Sequence, residues 1–416
     1  MRLFDTLSQQ EQPLDPEREY VTLYVCGITP YDTTHLGHAF LNVIYDTLVR
    51  YLRWRGQAVR YVQNVTDIDD DILRKARELG VAWDELGRRE TERYLADLSA
   101  LNVAPPDYYV RASDETAQMI DLIEALLLRG FAYERDGWVY FSIRRDPDFG
   151  ALANAGGYVG YRAWLETANE RGNNPDDPRK EDPLDFVLWQ AQQPGEPAWP
   201  SPWGPGRPGW HIECSAMAVR YLGPTIDIHG GGADLVFPHH TCEIAQCENA
   251  TGERPFVKIW MHAGMVGLDN EKMSKSLGNL VLVRDLLARH SGDAVRLLLL
   301  AHHYRLPWEF TPDQMHAAQI SADRLAAAAA LAEHGQPGGE DATIRQARLE
   351  FVAALENDMR TPQALRVLEG LAERALTTGR AAYAAELREL GGVLGLSLPT
   401  TSSQVTQPSA AHGHEH

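Results

Sequence analysis

The sequence predicts an α/β fold built on a doubly wound parallel sheet. Residues 20–25 form an apolar, strand-like run, and a helical pattern follows as far as Gly56. A second strand pattern spans residues 59–66 and opens into an acidic helix start, Asp67 to Asp71. Strands that alternate with helices along the chain are typical of parallel sheets, because their crossover connections usually contain a helix.

The rest of the chain divides into three further parts and a tail. Residues 108–206 interrupt the alternation with a helical pattern, a hairpin pattern and a stretch rich in Gly, Asn and Pro. Strand and helix patterns resume in residues 207–310, and residues 311–396 carry Ala and Leu at the spacing that predicts a bundle of about four helices. The expected divisions are 1–107, 108–206, 207–310, 311–396 and a disordered tail at 397–416.

Composition narrows the class of protein. At 416 residues the chain can hold two or three domains, and no apolar run approaches the ~20 residues that span a membrane. The first residues lack a signal-peptide pattern, so a cytoplasmic protein without a membrane partner is expected. Four cysteines in so long a chain favour metal-binding or catalytic roles over a disulfide framework. The net charge of −19 makes nucleic-acid binding less expected but does not exclude it, because a local basic stripe would suffice.

The first chemical motif is HLGH, which follows the first predicted strand. A strand, a glycine-bearing loop and a helix N-terminus together place phosphates against free backbone N–H groups. His35 and His38 can donate to the same phosphate, and Gly37 lets a nucleotide approach the backbone. A βα turn with two surface histidines is the alternative for this short motif taken alone.

The second motif is KMSKS, far downstream at residues 272–276. Its two lysines, Lys272 and Lys275, suit a triphosphate whose negative charge rises during transfer. Together, HLGH and KMSKS resemble the paired signature of class I aminoacyl-tRNA synthetases. The resemblance implies a Rossmann-like, HUP-type catalytic sheet in which residues 108–206 are an inserted connective domain. It also implies attack of an amino-acid carboxylate on the α-phosphorus of ATP, with His35, His38, Lys272 and Lys275 as catalytic residues.

Residues at strand ends and in the second half are expected around the adenylate. Asn64 to Thr66 lie at a strand C-terminus, where ligands bind in open α/β sheets. Trp210 is expected to wall the amino-acid pocket, with a core aromatic as the alternative, and His229 is considered as a further contact of the adenosine. The expected ATP and adenylate contacts are Gly27, Ile28, Thr29, Gly37, Leu41, Asn64, Val65, Thr66, Trp210, Gly232, Ala233, Asp234 and Val266.

Four residues form a candidate metal set. Cys26 and Cys214 lie at corresponding points of the two halves, while His239 and Glu243 share one face of a predicted helix over 238–250. All four side chains are competent zinc ligands, although a cysteine taken singly is more often a small core residue. Within this signature the set resembles the cysteine-specific branch of class I synthetases. The thiols of Cys242 and Cys247 are expected to be structural or bystanders.

The metal indicates the substrate. Zinc lowers the pKa of a coordinated thiol and discriminates sulfur from oxygen, so the expected amino acid is L-cysteine rather than serine. The expected cofactors are one Zn²⁺ per chain and ATP with Mg²⁺, and the protein is expected to be a monomer.

Two families share this catalytic body, and they differ in the acceptor. One is the cysteinyl-tRNA synthetases; the other is the mycothiol-pathway cysteine ligases, which join cysteine to the amine of glucosaminyl-inositol. Residues 28–39, the ERGNNP segment at 170–175 and residues 263–267 resemble the mycothiol ligases, and the chain ends where synthetases continue into an anticodon-reading module. From Thr311 to His416 there are 13 acidic residues against 8 Arg and no Lys, a poor surface for phosphates.

Other features resemble the synthetases instead. Glu243 supplies a fourth metal ligand, whereas the mycothiol ligases tend to use three. Leu41 stands where that family has a threonine, and residues 275–279 and 283–287 also resemble synthetases. The sequence favours the amino-sugar as acceptor, with tRNA as the alternative. A non-catalytic, synthetase-like binding protein is a third reading, which the complete motifs disfavour.

Overall fold

Four β-sheets occur in the computed structural model, which describes residues 1–15, 19–31, 34–268, 271–273, 278–334 and 341–398. Their strands are β1 (Arg2–Asp5), β2 (Gln10–Pro13), β3 (Tyr20–Ile28), β4 (Ala58–Val65), β5 (Tyr108–Arg111), β6 (Ala132–Arg135), β7 (Trp138–Phe141), β8 (Phe186–Ala191), β9 (Gly206–Pro208), β10 (Ile226–Gly232), β11 (Val257–Ala263), β12 (Val266–Leu268), β13 (Glu271–Lys272) and β14 (Trp308–Glu309).

Helices cover the faces of the largest sheet and form the C-terminal region. They are α1 (Leu36–Trp54), α2 (Asp70–Leu79), α3 (Trp83–Ala100), α4 (Thr116–Leu128), α5 (Ala151–Ala155), α6 (Gly160–Glu170), α7 (Trp210–Leu222), α8 (Thr241–Thr251), α9 (Val283–Leu287), α10 (Gly292–Leu300), α11 (Pro312–His334), α12 (Ala342–Glu356), α13 (Thr361–Thr378) and α14 (Ala381–Val393). Within the described ranges, none of these helices has the length and apolar character needed to cross a membrane.

The largest sheet has five parallel strands in the order β11-β10-β3-β4-β5. The central strand β3 reads YVTLYVCGI and is buried along nearly its whole length, as expected where helices cover both faces of a parallel sheet. From β3 the chain adds β4 and β5 on one side, whereas β10 and β11 lie on the other side of β3. The carboxyl ends of β3 and β10 therefore flank the topological switch point, where ligands bind in open α/β sheets. This arrangement confirms the predicted fold class.

Between β5 and β10 the chain builds a second, antiparallel sheet in the order β6-β7-β8-β9. The predicted boundary after residue 107 falls immediately before β5, which completes the parallel sheet by pairing with β4. The remaining predicted domain boundaries, at 206 and 310, stay predictions. Most of the predicted tail, residues 399–416, lies outside the described residues.

A buried pair joins the two halves of the parallel sheet. The Thr22 backbone N–H and hydroxyl both donate to Asp227 Oδ2, at 2.9 and 2.8 Å, and the Asp227 N–H donates back to the Thr22 oxygen at 2.8 Å. Thr22 lies on β3 and Asp227 lies on β10, so these bonds reinforce the strand pairing that brings the halves together.

Replacing Thr22 with Val is expected to weaken this junction. The change keeps the shape of the side chain but leaves the buried Asp227 carboxylate short of one donor, which costs about 1–3 kcal/mol of unfolding free energy. The measurement is urea unfolding followed by tryptophan fluorescence. Thr377→Val is the matched control, because Thr377 is exposed and its hydroxyl bonds only within α13. An unfolding midpoint equal to that of the wild type would show that the pair does not stabilise the junction.

The predicted bundle of about four helices is confirmed as α11 to α14. A fully buried arginine ties the chain after these helices to the catalytic sheet. Arg296, on α10, forms an ion pair with Asp46 of α1 and donates to the carbonyls of Leu101 and Leu394. Separating Arg296 from Asp46 would leave an uncompensated buried charge, which is strongly destabilising. These contacts therefore hold the helical region in place against the sheet.

Candidate active site

The HLGH loop connects the carboxyl end of β3 to the first turn of α1. His35 caps the helix, because its Nδ1 accepts a hydrogen bond from the Gly37 N–H at 3.1 Å. The rings of His35 and His38 stack with centroids 3.7 Å apart. Two imidazoles and the positive end of a 19-residue helix therefore meet at one point, an arrangement suited to a phosphate.

Residues that follow KMSKS pair directly with this loop. The Leu36 N–H donates to the Val281 carbonyl at 2.9 Å, and the Val283 N–H donates to the Thr34 carbonyl at 3.1 Å. Backbone hydrogen bonds thus hold residues 281–283, which follow the second motif in the sequence, next to the first motif.

The KMSKS segment itself is described only in part. The backbone of Lys272 lies in β13 and pairs with Gly267 of β12, where Val266 is buried. The Lys272 side chain and all of Lys275 lie outside the described residues, so their predicted roles stay predictions.

Close contacts fix the carboxyl ends of β3 and β4. The Gly27 N–H donates to Asn64 Oδ1 at 2.8 Å, and a Cβ at Gly27 would lie 1.7 Å from the Asn64 carbonyl oxygen. No larger residue could occupy that position without moving the strand. The Asn64 amide also donates to the Thr66 hydroxyl at 3.1 Å, while Ile28 pairs with Val65. The structure therefore brings these predicted contacts to one edge of the sheet, beside Thr29.

The glycine run after β10 lies on the other side of the switch point. Gly232 ends the strand, and Ala233 and Asp234 form a short turn after it. Arg171, from the ERGNNP segment, donates to the Asp234 carbonyl at 2.7 Å, so the inserted segment reaches this turn. Leu41 is half-buried on α1 and packs against the main hydrophobic core.

Four buried side chains converge beside the end of β3. One ligand atom each from Cys26, Cys214, His239 and Glu243 lies within 4.8 Å of the other three. The two sulfurs are 3.7 Å apart, too far for a disulfide of about 2.05 Å. A tetrahedral Zn²⁺ with Zn–S bonds of about 2.3 Å would separate two sulfurs by about 3.8 Å. The side chains present therefore fit a single tetrahedral metal ion.

The local backbone differs from the sequence prediction at this cluster. The regular helix α8 begins at Thr241 and not at Pro238, because residues 236–240 form a single wide turn in which Phe237 is not helical. His239 Nε2 nevertheless reaches Glu243 Oε1 at 3.1 Å, the separation expected of two ligands on one ion.

The electrostatics of the cluster also favour a cation. Burial raises the pKa of the Cys26 thiol well above its ordinary range, and Cys214 and Glu243 raise it further. Burial lowers the pKa of His239 well below its ordinary range, which keeps the ring neutral and able to act as a ligand. A divalent cation would reverse the penalty on the thiolates, because coordination deprotonates a thiol outright.

Comparison with known proteins places this arrangement in a family. Residues 12–320 match the model of the tRNA synthetases class I (C) catalytic domain, which covers most of the chain. The chain belongs to this family. Its relatives named below are all ligases, and the chain is a ligase of the same class.

Two relatives of this class I (C) ligase differ in the acceptor that they name. The cysteine--tRNA ligase of Halorhodospira halophila is 48% identical over 405 residues, which cover 95% of this chain and 85% of the relative. The L-cysteine:1D-myo-inositol 2-amino-2-deoxy-alpha-D-glucopyranoside ligase of Parafrankia sp. is 47% identical over 380 residues, covering 91% of this chain and 83% of the relative.

Among solved structures, the fold matches that of a methionyl-tRNA synthetase. The Mycobacterium tuberculosis enzyme, solved in complex with methionyl-adenylate, aligns with a TM-score of 0.62 at 15% identity. The alignment covers 91% of this chain and 90% of that one, and at this identity it shows the shared fold alone.

Sequence reasoning missed a second layer of histidines in this class I (C) ligase. His229 was expected at the adenosine, but the structure buries it below the metal set, with its Nε2 3.0 Å from Glu243 Oε2. His240 lies 3.4 Å from Cys26 Sγ and 2.7 Å from His262 Nε2. Such contacts orient metal ligands. The adjacent histidines of the FPHH sequence were the one available signal, since the other contacts join residues distant in sequence.

Trp210 and His211 cover the outer side of His239. The rings of Trp210 and His239 stack with centroids 4.5 Å apart, and His211 Nδ1 lies 3.0 Å from His239 Nδ1. Burial lowers the pKa of His211 to about 3, so this ring is neutral at physiological pH. The structure thus places Trp210 against a member of the metal set, and its role as a wall of the amino-acid pocket stays a prediction. Cys242 and Cys247 are buried on α8. Among the described residues they belong neither to the metal set nor to the overlapping group of Cys26, His229, His240 and Glu243, whose ligand atoms also lie within 4.8 Å of one another.

Proposed function

We propose that the protein activates L-cysteine with ATP as cysteinyl-adenylate and transfers the cysteinyl group to the amine of glucosaminyl-inositol. The observation that carries the proposal is the buried set of Cys26, Cys214, His239 and Glu243, which lies beside the HLGH loop. Cys26 of the metal set lies near the carboxyl end of β3, and the HLGH loop follows that end of the strand. A small amino acid could therefore contact the metal set and a nucleotide phosphate at the same time. L-cysteine and the amino-sugar appear in the name of the Parafrankia relative.

Selection of cysteine is assigned to the metal set. Its four residues would hold a Zn²⁺, which when bound favours a thiolate over a hydroxyl as an additional ligand. Trp210 packs over His239 and narrows the pocket on that side. A thiol and a hydroxyl differ little in size, so an apolar pocket alone would separate cysteine from serine poorly.

Activation is assigned to the loops at the switch point. The cysteine carboxylate attacks the α-phosphorus of ATP in line, and pyrophosphate leaves. His35 and His38 donate to the phosphate oxygens, with the α1 N-terminus behind them and Lys272 and Lys275 expected to close over the triphosphate. Mg²⁺ is the expected counter-ion of ATP. Catalysis is then positioning and charge stabilisation, without a covalent enzyme intermediate.

Transfer follows when the amine attacks the mixed anhydride and AMP leaves. We assign acceptor entry to the side of Asp234, a proposed adenylate contact, because Arg171 of the ERGNNP segment donates to the Asp234 carbonyl. The 13 acidic residues against 8 Arg in the C-terminal region favour a small neutral or cationic acceptor over a polyanion.

Transfer to cysteine tRNA is the second candidate. It is favoured by Glu243, whose Oε1 lies 3.1 Å from His239 in the metal set and whose Oε2 lies 3.0 Å from His229 outside it, because a fourth protein ligand resembles the synthetases. The Halorhodospira relative, of similar identity, is named for that reaction.

An acceptor assay separates the two. Zinc-loaded protein, ATP and ³⁵S-cysteine are incubated with glucosaminyl-inositol or with cysteine tRNA, and the labelled product is identified. Label on the amino-sugar is expected, with none on inositol that lacks the amine or in reactions without ATP. Label on cysteine tRNA, but not on alanine tRNA, would contradict the amino-sugar proposal and establish the second candidate.

A further inference from the structure

One buried carboxyl next to the metal set has no partner. The side chain of Glu213 is fully buried, yet neither of its oxygens makes a hydrogen bond to any described residue. Two other buried carboxyls are paired: Glu115 with Arg220 and Tyr221, and Asp67 with Arg111 and Ser113. Among described residues, Glu213 is the one buried carboxyl that lacks a partner on both oxygens.

Glu213 lies between the metal set and the carboxyl end of β4, because it precedes Cys214 in the chain and has Thr66 and Asp67 as neighbours. On α7, Trp210 is three residues from Glu213 and four residues from Cys214, so its side chain neighbours both of them on the helix surface. Trp210 on this face stacks on His239, and Cys214 belongs to the metal set.

The surroundings of this carboxyl are negative. Burial raises the pKa of this carboxyl well above its ordinary range, and the neighbouring Cys214, Asp69 and Asp67 raise it further, while the nearby Thr66 hydroxyl makes no ordinary hydrogen bond to it. Asp67 is already paired with Arg111, and Asp69 accepts from the N–H groups of Asp71 and Ile72 at the start of α2. Because these residues are already engaged, a ligand that satisfies Glu213 must itself bring hydrogen-bond donors, and a positively charged donor would also favour the ionised carboxylate.

We propose that Glu213 binds the α-ammonium group of the cysteine substrate. This inference rests on the proposed function, because it assigns the remaining group of the same amino acid. The metal set takes the sulfur and the HLGH loop faces the carboxylate, which leaves the ammonium. Only two carbons separate that nitrogen from the sulfur, so it lies within reach of the residue that precedes Cys214. Glu213 is then a specificity residue that distinguishes cysteine from thiols without an amine.

The test compares two thiols that differ in the amine. Zinc-loaded wild type and Glu213→Gln are titrated with L-cysteine and with β-mercaptopropionate, which is cysteine without its ammonium, by isothermal calorimetry. Loss of a charged hydrogen bond is expected to weaken cysteine binding by about 10–100-fold in the variant. Binding of β-mercaptopropionate is expected to change less than about twofold. The KM for cysteine in pyrophosphate exchange should rise in parallel with the dissociation constant.

Glu115→Gln is the matched control. Glu115 is also buried and contacts α7, but at the opposite end of that helix, through Arg220 and Tyr221. This variant should bind both thiols like the wild type. If Glu213→Gln fails to fold, Glu213→Asp is the second variant, because it keeps the charge on a shorter side chain. It is expected to show a smaller loss of cysteine binding, again without a matching loss of β-mercaptopropionate binding.

If Glu213→Gln weakens the binding of both thiols equally, the inference is overturned, because a purely structural role of Glu213 would disturb the pocket for either ligand. Unchanged binding of both would overturn it as well. These results leave the proposed function standing if the wild type binds cysteine and exchanges pyrophosphate. A wild type that binds neither thiol would instead remove the proposed function, and the Glu213 assignment with it.

Discussion

Replacing Cys214 with Ser is expected to abolish metal binding and, with it, activation of cysteine. Cys214 Sγ lies 3.7 Å from Cys26 Sγ in the buried set, and a hydroxyl is a far poorer zinc ligand than a thiolate. Loss of an outer contact to a metal ligand already costs about 10–100-fold in affinity, so loss of a ligand itself should cost more. The measurements are zinc content after gel filtration and cysteine-dependent pyrophosphate exchange.

The control for this change is Cys247→Ser. Cys247 is another fully buried thiol near α7, with its Sγ 3.8 Å from the Ser215 carbonyl, and a hydroxyl can keep that contact. This variant should retain one zinc per chain and normal exchange. Full zinc content in Cys214→Ser would refute the metal set, whatever the activity of that variant.

Replacing Lys275 with Ala is expected to slow adenylate formation by about 10²–10³-fold, the usual cost of removing one electrostatic contact to a charged transition state. The lysine is expected to face the triphosphate because residues 281–283, which follow it closely in the sequence, pair with the HLGH loop. Single-turnover formation of cysteinyl-adenylate is the appropriate measurement.

Zinc content and cysteine binding should stay at wild-type levels in Lys275→Ala, since neither depends on the triphosphate. Lys75→Ala serves as the control, because Lys75 lies on α2 and pairs with Glu78 at the surface. An unchanged rate of adenylate formation would show that the KMSKS sequence has another role in this chain.

Much of the fold could be predicted because its signals are local. The run that becomes β3, the amphipathic pattern of α1 and the Ala- and Leu-rich helices α11 to α14 each follow from spacing within one segment. The candidate ligands Cys26, Cys214, His239 and Glu243 could be selected because two long-range motifs had already indicated a family. The structure brings these four side chains together, and their role as ligands remains a proposal.

The features that could not be predicted depend on pairings between distant segments. The short strands β12 and β14 pair although their residues lie far apart, and nothing within either segment indicates the partner. Burial of His229 against Glu243 follows from the position of β10 beside β3. Glu213 reads as an ordinary helical glutamate until the helix is placed against the pocket, since a sequence does not show which carboxyls lack a donor.

The pairing of β3 with β10 has a consequence for the synthesis of the chain. The partner of Thr22, Asp227, is synthesised 205 residues later. At roughly 5–20 residues per second, one edge of β3 therefore has no partner strand for on the order of 10–40 s. Contacts of such high sequence separation form slowly, and an exposed strand edge invites pairing with other chains. Cys26 is synthesised at the start of that interval and Cys214 near its end, whereas His239 and Glu243 follow shortly after it. Zinc uptake would thus report that the nascent sheet has closed.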